Sequence, residues 1–152
     1  MTFRVVAVGK AAGTLADAIA DFERRAGRYW PLEVVEVRAV AARSRRAADV
    51  KREEGIRLLA QVRGTIVALD ERGRSMTSAA FADWLQQRRE RTEDVSFLIG
   101  GAFGLSEEVL ARAALRLAVA PWTLPHDLAR LVFAEQVYRA GTLTRGEPYH
   151  KA

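Results

Sequence analysis

Residues suited to ligand binding are concentrated in three short segments of the chain. Each segment follows an apolar run: residues 70–73 follow 65–69, residues 100–104 follow 95–99, and residues 121–126 follow 115–120. If these runs are parallel strands, their carboxyl ends lie at one edge of the sheet, where ligands bind in open α/β folds. The three segments are therefore predicted to converge on one binding edge.

The segment 100–104 reads Gly-Gly-Ala-Phe-Gly, and Ser106 is a plausible helix cap behind it. Glycine allows positive φ and lets the backbone come close to a ligand. The spacing does not match G-x-G-x-x-G, and the chain has no G-x-x-x-x-G-K-[ST], so the usual dinucleotide and triphosphate cradles are not supported. A tight strand-to-helix turn without a ligand is the alternative, because turns also need glycine.

The segment 121–126 has two prolines and an aromatic residue, which gives a stiff loop with main-chain polar groups beside apolar side chains. Such a loop suits a flat heterocycle such as adenine. The predicted pocket residues are Leu69, Gly101, Ala120, Pro121, Trp122, Thr123, Leu124 and Pro125. A rigid crossover with no ligand is the other interpretation.

Composition limits the classes of protein to consider. With 152 residues, of which 49% are hydrophobic, the chain is long enough for one globular domain, predicted over residues 1–152. The net charge of +5 favours a polyanionic partner such as nucleic acid. The absence of cysteine excludes disulfides, thiolate metal sites and a cysteine nucleophile. No apolar run approaches the roughly 18 residues of a membrane span, so a cytoplasmic protein is expected.

Five β-branched runs alternate with helix-like segments, which predicts an α/β fold with a mostly parallel sheet. The runs are Phe3–Val8, Leu32–Val37 and the three that precede the binding segments. In the first helical segment Leu15, Ile19, Phe22 and Ala26 form one stripe, and Asp17, Glu23, Arg24 and Arg25 are predicted to face water. Another helix is predicted to start at Thr77 and Ser78 and to cover the core with Phe81, Trp84 and Leu85.

The segment 127–140 has a helical pattern with apolar residues on more than one face. In a chain of this size the pattern predicts a homodimer built partly on this helix, and a fully internal helix is the alternative. A second feature is the basic segment 42–52, which contains Arg43, Arg45, Arg46, Lys51 and Arg52. It is predicted to contact phosphates, although a solvated face would have the same composition.

The chain resembles the RlmH family, the ribosomal RNA large subunit methyltransferase H group within the SPOUT superfamily. The similarity lies in Leu98-Ile99-Gly100-Gly101-Ala102-Phe103-Gly104-Leu105, in Leu124-Pro125-His126 opening a helix with Glu135, Tyr138 and Arg139, and in terminal Pro148-Tyr149-His150. It extends to Val6-Ala7-Val8-Gly9-Lys10 and to Ala48-Asp49-Val50-Lys51, and so spans the whole chain. Each motif alone is weak, and their order and spacing make the match specific.

The resemblance implies a SPOUT-type fold with flanking helices and a C-terminal trefoil knot, dimerising through helices that bring the cofactor site near the partner subunit. It implies transfer of a methyl group from S-adenosylmethionine to N3 of a pseudouridine in a 23S rRNA stem-loop on the assembled ribosome. The pocket residues above become the cofactor contacts, and Arg139, Tyr149 and His150 become candidates for handling the target. No metal is predicted, because a sulfonium is already an activated methyl donor.

The tail 146–152 carries Tyr149 and His150 without core periodicity. Its glycine and proline suggest that it is not ordered alone, so RNA or the partner subunit is predicted to organise it over the active site. Two rival functions remain open at this point. One is an RNA-binding or ribosome-associated module without catalysis, and the other is a SPOUT enzyme that acts on transfer RNA.

Overall fold

The computed structural model describes residues 1–150, apart from the side chain of His150. In this range the strands are β1 (Phe3–Val8), β2 (Leu32–Val37), β3 (Thr65–Ser75), β4 (Val95–Ile99) and β5 (Leu115–Ala118). The α-helices are α1 (Ala16–Ala26), α2 (Ala47–Leu59), α3 (Ser78–Glu90), α4 (Glu107–Arg112) and α5 (His126–Thr144). Short 3-10 helices cover Gly13–Leu15 and Pro148–His150.

The strands form one sheet in the order β2-β1-β4-β3-β5, and each neighbouring pair is parallel. This confirms the predicted α/β class. Every residue of β1 and β4 is buried, which explains why these strands read as nearly continuous apolar runs. The trefoil knot stays a prediction of the resemblance.

Side chains that alternate along the strands build a core on each face of the sheet. Phe3, Val5 and Phe97 belong to the core that also contains Phe133 of α5. Val6 and Leu98 belong to the opposite core with residues of α2 and α4. The helices α1 and α3 both pack against α5, so α5 lies between them.

The capping residues predicted at the starts of two helices do cap them in the structure. Thr77 accepts a hydrogen bond from the amide of Ala80 at 3.0 Å and caps α3, and Ser106 caps α4 through the amide of Val109. In α1 the stripe residues Ile19 and Ala26 are buried. Glu23 was predicted to face water, and that prediction is wrong: its carboxylate accepts two hydrogen bonds from the buried Arg130 of α5.

Two strand ends differ from the sequence prediction. β3 continues past residue 69 because the chain pairs with β5 a second time: Leu69 and Arg74 both lie opposite Leu117. Residues 70–73 therefore form a bulge within β3, on the side that pairs with β5. β5 ends at Ala118 instead of continuing to residue 120.

Helix α5 is longer than the predicted 127–140 and is the longest helix of the described part. Four charged residues interrupt its apolar sequence, namely Asp127, Arg130, Glu135 and Arg139. No helix within residues 1–150 is long and apolar enough to cross a membrane.

Candidate functional site

A cavity of about 730 Å³ lies at the carboxyl ends of β4 and β5 and beside the bulge within β3. The bulge after Leu69, the glycine turn after β4 and the proline-rich loop after β5 all line it, and the first turn of α5 closes one side. Its size falls within the range of roughly 300–1,000 Å³ typical of small-molecule sites. The three predicted segments thus converge on one cavity.

Seven of the eight predicted pocket residues line this cavity: Leu69, Gly101, Ala120, Trp122, Thr123, Leu124 and Pro125. Pro121 is exposed and is not among the lining residues. Trp122 is 77% exposed, so most of its indole faces solvent although the residue lines the cavity.

Four further apolar and four charged residues line the wall, and of these only residues 70–72 belong to a segment predicted from the sequence to reach the binding edge. Ile99, Leu105, Leu110 and Val119 give it an apolar surface, while Asp70, Glu71, Arg72 and Lys51 give it a charged edge. The signal for Asp70 was present, because it directly follows the strand residue Leu69. Lys51 comes from α2, and its position at the cavity depends on a tertiary contact that no local pattern reveals.

The glycine turn is closed by a hydrogen bond from the amide of Gly104 to the carbonyl of Gly101 at 3.1 Å. Gly104 has φ of +83°, and a Cβ on Gly100 would lie 2.6 Å from the carbonyl carbon of Gly104. A Cβ on Gly101 would meet Glu54 Oε1 at 3.0 Å and Val8 Cγ1 at 3.1 Å. Close packing within the protein therefore already requires these glycines, whether or not a ligand approaches them.

Asp70 has an unusual environment at the edge of the cavity. Its Oδ1 accepts a hydrogen bond from the amide of Arg72 at 3.2 Å. Its Oδ2 is buried and has no hydrogen-bond partner among the described residues. A buried acceptor without a donor is costly, so a ligand that brings a hydroxyl or ammonium group to Asp70 would stabilise this arrangement.

Arg139 and Tyr149, the predicted target-handling residues, lie together on Glu135. Glu135 Oε1 accepts hydrogen bonds from Arg139 Nε at 3.0 Å and from the Tyr149 hydroxyl at 3.0 Å. Burial and the bond to Glu135 raise the pKa of Tyr149, so its phenol stays protonated at neutral pH. The side chain of His150 lies outside the described residues.

This cluster is not at the cavity of its own chain. Ala129 lines the cavity, and Arg139 follows it by ten residues in the same helix, which corresponds to about 15 Å along the axis. In a single chain, the predicted cofactor residues and the predicted target-handling residues therefore lie in two separate parts of the structure.

The described part of the tail docks on its own chain. The Tyr149 ring lies 4.6 Å from that of Tyr138 between centroids, and the Tyr29 hydroxyl donates to Glu147. The prediction that RNA or a partner must organise the tail is therefore wrong for residues 146–149. The tail has no core periodicity in its sequence, and it is held instead by packing of the Tyr149 ring on Tyr138 of α5.

The basic segment 42–52 divides between a loop and the first turns of α2. Arg45 forms a two-bond ion pair with Glu53, and Arg52 pairs with Asp49. Part of its positive charge is thus balanced by acidic residues of the same helix. In residues 1–150 no three histidine, aspartate or glutamate side chains are grouped in a way that could hold a metal ion.

Comparison with known proteins identifies the family. The family model described as "Predicted SPOUT methyltransferase" matches residues 1–150. Ribosomal RNA large subunit methyltransferase H of Gemmatimonas aurantiaca is 54% identical over 139 residues, which cover 90% of each chain. The protein of the same name from Anaeromyxobacter sp. (strain K) is 52% identical over 99% of this chain and 100% of its own.

A solved structure of a probable methylase family protein from Haemophilus influenzae has a similar fold, with a TM-score of 0.57. The similarity covers 97% of this chain and 69% of that chain, at 11% identity, and it concerns the fold alone. The sequence matches extend over nearly the full length of both partners. The chain therefore belongs to the ribosomal RNA large subunit methyltransferase H family of SPOUT methyltransferases.

Proposed function

We propose that this protein methylates ribosomal RNA of the large subunit, with S-adenosylmethionine as the methyl donor. The finer proposal is N3 of a pseudouridine in a 23S rRNA stem-loop, modified on the assembled ribosome by a homodimer. The names of the close relatives support the RNA substrate. The observation that carries the proposal is the cavity at the strand ends, where seven residues predicted to bind the cofactor come together.

The cavity fits the proposed cofactor chemically. Apolar side chains such as Leu105, Leu110 and Leu124, beside main-chain polar groups of the loop, suit a flat adenine ring. The buried Oδ2 of Asp70 can accept a hydrogen bond from a ribose hydroxyl or an ammonium group. One cavity thus offers surfaces for both the apolar and the polar parts of a nucleoside.

When bound, the sulfonium cofactor supplies an activated methyl group. The residues of the chain then have to hold the attacking nitrogen in line with that group, keep competing water out and accept the imide proton. Arg139 keeps its charge beside Glu135, which raises the pKa of its guanidinium. It can therefore hold a phosphate or stabilise negative charge as it develops on the base.

Tyr149 is protonated at neutral pH and suits donation of a hydrogen bond to the target or stacking on it. His150 is proposed to act as a general base or to orient the target. These roles require the tail to reach a cofactor cavity, and the cavity of the same chain is about 15 Å away along α5.

A second subunit could supply the target-handling residues that lie too far from the cavity in the same chain. The outer face of α5 carries Leu128, Leu131 and Val132, which are only partly buried in the single chain, and Glu135 and Arg139 continue the same face. Pairing of two such faces would bury the leucines and valine. We propose that the dimer places the partner subunit's Arg139, Tyr149 and His150 at the cavity of the first subunit.

Calorimetry with S-adenosylhomocysteine tests the cofactor site. Wild-type protein should bind it, and Asp70→Asn should weaken binding at least about tenfold, because a hydrogen bond to a charged group contributes roughly 1.5–3 kcal/mol. Asp83→Asn is the matched control, since Asp83 is exposed on α3 and does not line the cavity. Equal affinity for all three proteins would remove Asp70 from the site.

The substrate is tested by mass mapping of ribosomal RNA from a strain that lacks the protein. One methyl group should disappear from a 23S rRNA pseudouridine and return when purified protein and cofactor are added to the mutant ribosomes. Restoration of a methyl group on transfer RNA instead would support the rival SPOUT substrate. An unchanged modification pattern in all RNA would contradict the proposal.

A further inference from the structure

Two aromatic side chains at the mouth of the cavity are left in contact with solvent. Among the described residues the exposed large hydrophobic side chains are Ile56, Phe103 and Trp122, at 59%, 44% and 77% exposure. Phe103 and Trp122 both line the cavity, and they come from different loops. A single exposed apolar residue is ordinary, but two aromatics on one rim indicate a binding surface.

Both aromatics stand on stiff backbone. Phe103 is in the turn closed by the hydrogen bond between Gly104 and Gly101, and Trp122 lies between Pro121 and Pro125. Rigid supports limit the conformational entropy that is lost when the rings bind a partner. The rim is therefore ready to bind without rearrangement of the fold.

Charges of both signs lie beside the two rings, since Asp70 and Glu71 line the cavity together with Lys51 of α2 and Arg72 of the bulge. Arg72 Nε lies 3.4 Å from Asp70 Oδ1, but the Arg72 side chain is 72% exposed and can also reach a phosphate. Aromatic rings beside cations are the combination that proteins use for single-stranded nucleic acid, with bases stacked on the rings and phosphates near the cations. The chain as a whole carries a net charge of +5, which favours a polyanion as the partner of this surface.

We infer that Phe103 and Trp122 form an aromatic rim that stacks on unpaired RNA bases next to the nucleotide entering the cavity. The inference rests on the proposed function, because it assumes an RNA substrate at this cavity. It gives the side chains a role separate from cofactor binding. The rim would in this way hold the target loop at the reaction site itself.

The test uses a uridine hexanucleotide and an abasic ribose-phosphate chain of the same length. Trp122→Leu and Phe103→Leu keep apolar volume but remove the flat ring, and each should weaken hexanucleotide binding at least about fivefold, as expected from the energy of one base stacked on an aromatic ring. Binding of the abasic chain should not change. Ile56→Ala removes an exposed apolar side chain away from the cavity and is the matched control.

Tryptophan fluorescence gives a second measurement, because Trp30 is only 2% exposed and Trp84 is half-buried. The hexanucleotide should quench the wild-type signal, and Trp122→Leu should lose most of that quenching. Thermal unfolding checks that each variant folds.

Three results separate the possible failures. Equal hexanucleotide binding by wild type and both folded variants would overturn the aromatic rim. A fall in dimer mass for Trp122→Leu without a change in RNA binding would identify the rim as a subunit contact and would also overturn it. If the wild type binds neither the hexanucleotide nor ribosomes, the proposed function itself fails.

Discussion

The Tyr149 hydroxyl donates a hydrogen bond to Glu135 at 3.0 Å, and this bond fixes Tyr149 to the third turn of α5. The same carboxylate oxygen also accepts two hydrogen bonds from the Arg139 guanidinium. One acidic residue thus holds both described members of the proposed target-handling group. Such an arrangement orients the phenol and the guanidinium before any substrate binds.

The first prediction is that the tail is needed for methyl transfer but not for cofactor binding. Deleting the residues after Arg145 should reduce the rate of methyl transfer at least about 10²-fold, the effect expected from losing a general base or positioning group. Affinity for S-adenosylhomocysteine should stay near that of the wild type, because none of the described residues after Arg145 lines the cavity of its own chain. Single-turnover assays on ribosomes and calorimetry measure the two quantities.

Tyr149→Phe refines this test. It removes the bond to Glu135 but keeps a ring that can pack on Tyr138. We expect a smaller loss of rate than for Tyr149→Ala or His150→Ala. Full activity of the truncated protein would show that the catalytic groups lie around Arg139 and the strand-end loops.

The fold was largely predictable because its signals are local. Continuous apolar runs gave the buried strands, and Thr77 and Ser106 marked the starts of α3 and α4. The convergence of Leu69, Gly101 and Leu124 followed from the general rule that parallel strands end at the same edge.

The remaining features depend on contacts between distant parts of the chain. Glu23 looked like a solvent-facing helix residue, but Arg130 reaches it from 107 residues away. Gly101 suggested a ligand, whereas Glu54 and Val8 already fill the space beside it. The second pairing of β3 with β5 depends on strand register, which the apolar pattern of residues 65–69 does not contain.

The second prediction concerns the dimer. Leu131→Asp places a charge on the outer face of α5 and should convert a stable dimer into a monomer at micromolar concentration, because burial of an unpaired charge is unfavourable. Light scattering measures the mass. Ile56→Asp, at an exposed position outside α5, should leave the mass unchanged. A wild-type protein that is monomeric at all concentrations would remove the composite site.

The third prediction concerns the basic segment 42–52. The double variant Arg45→Glu, Arg46→Glu should weaken ribosome binding and reduce its dependence on salt concentration, because fewer counterions are released on binding. Cofactor affinity should not change, since neither residue lines the cavity. Filter binding over a series of salt concentrations measures the slope.

The control for this variant is Arg24→Glu, Arg25→Glu, an adjacent arginine pair on α1 that already interacts with Asp21. It makes the same change in net charge on the opposite face of the sheet. If both double variants lower the slope equally, overall charge and not the segment 42–52 determines binding.

The fourth prediction concerns the buried ion cluster between α1, β2 and α5. The Arg130 side chain is 6% exposed and donates to both Glu23 and Glu36. Removing one partner of a buried ion pair leaves uncompensated charge and costs about 3–5 kcal/mol. Arg130→Met should therefore lower the free energy of unfolding by that amount at pH 7, as measured by urea denaturation.

The pH dependence gives the sharper test. Burial alone would raise the pKa of Glu36, but its bonds from Arg130 and the Ala11 amide hold it below the ordinary value of 4.5. A group with a depressed folded pKa stabilises the protein above its unfolded pKa and loses that contribution as pH falls through the folded pKa. The stability difference between wild type and Arg130→Met should thus be full above about pH 5 and shrink in more acidic solution.

Arg52→Met, which breaks the exposed pair with Asp49, should cost no more than about 1 kcal/mol at any pH. A wild-type advantage over Arg130→Met that stays constant down to pH 3 would show that Arg130 stabilises α5 by packing of its stem and not by its charge.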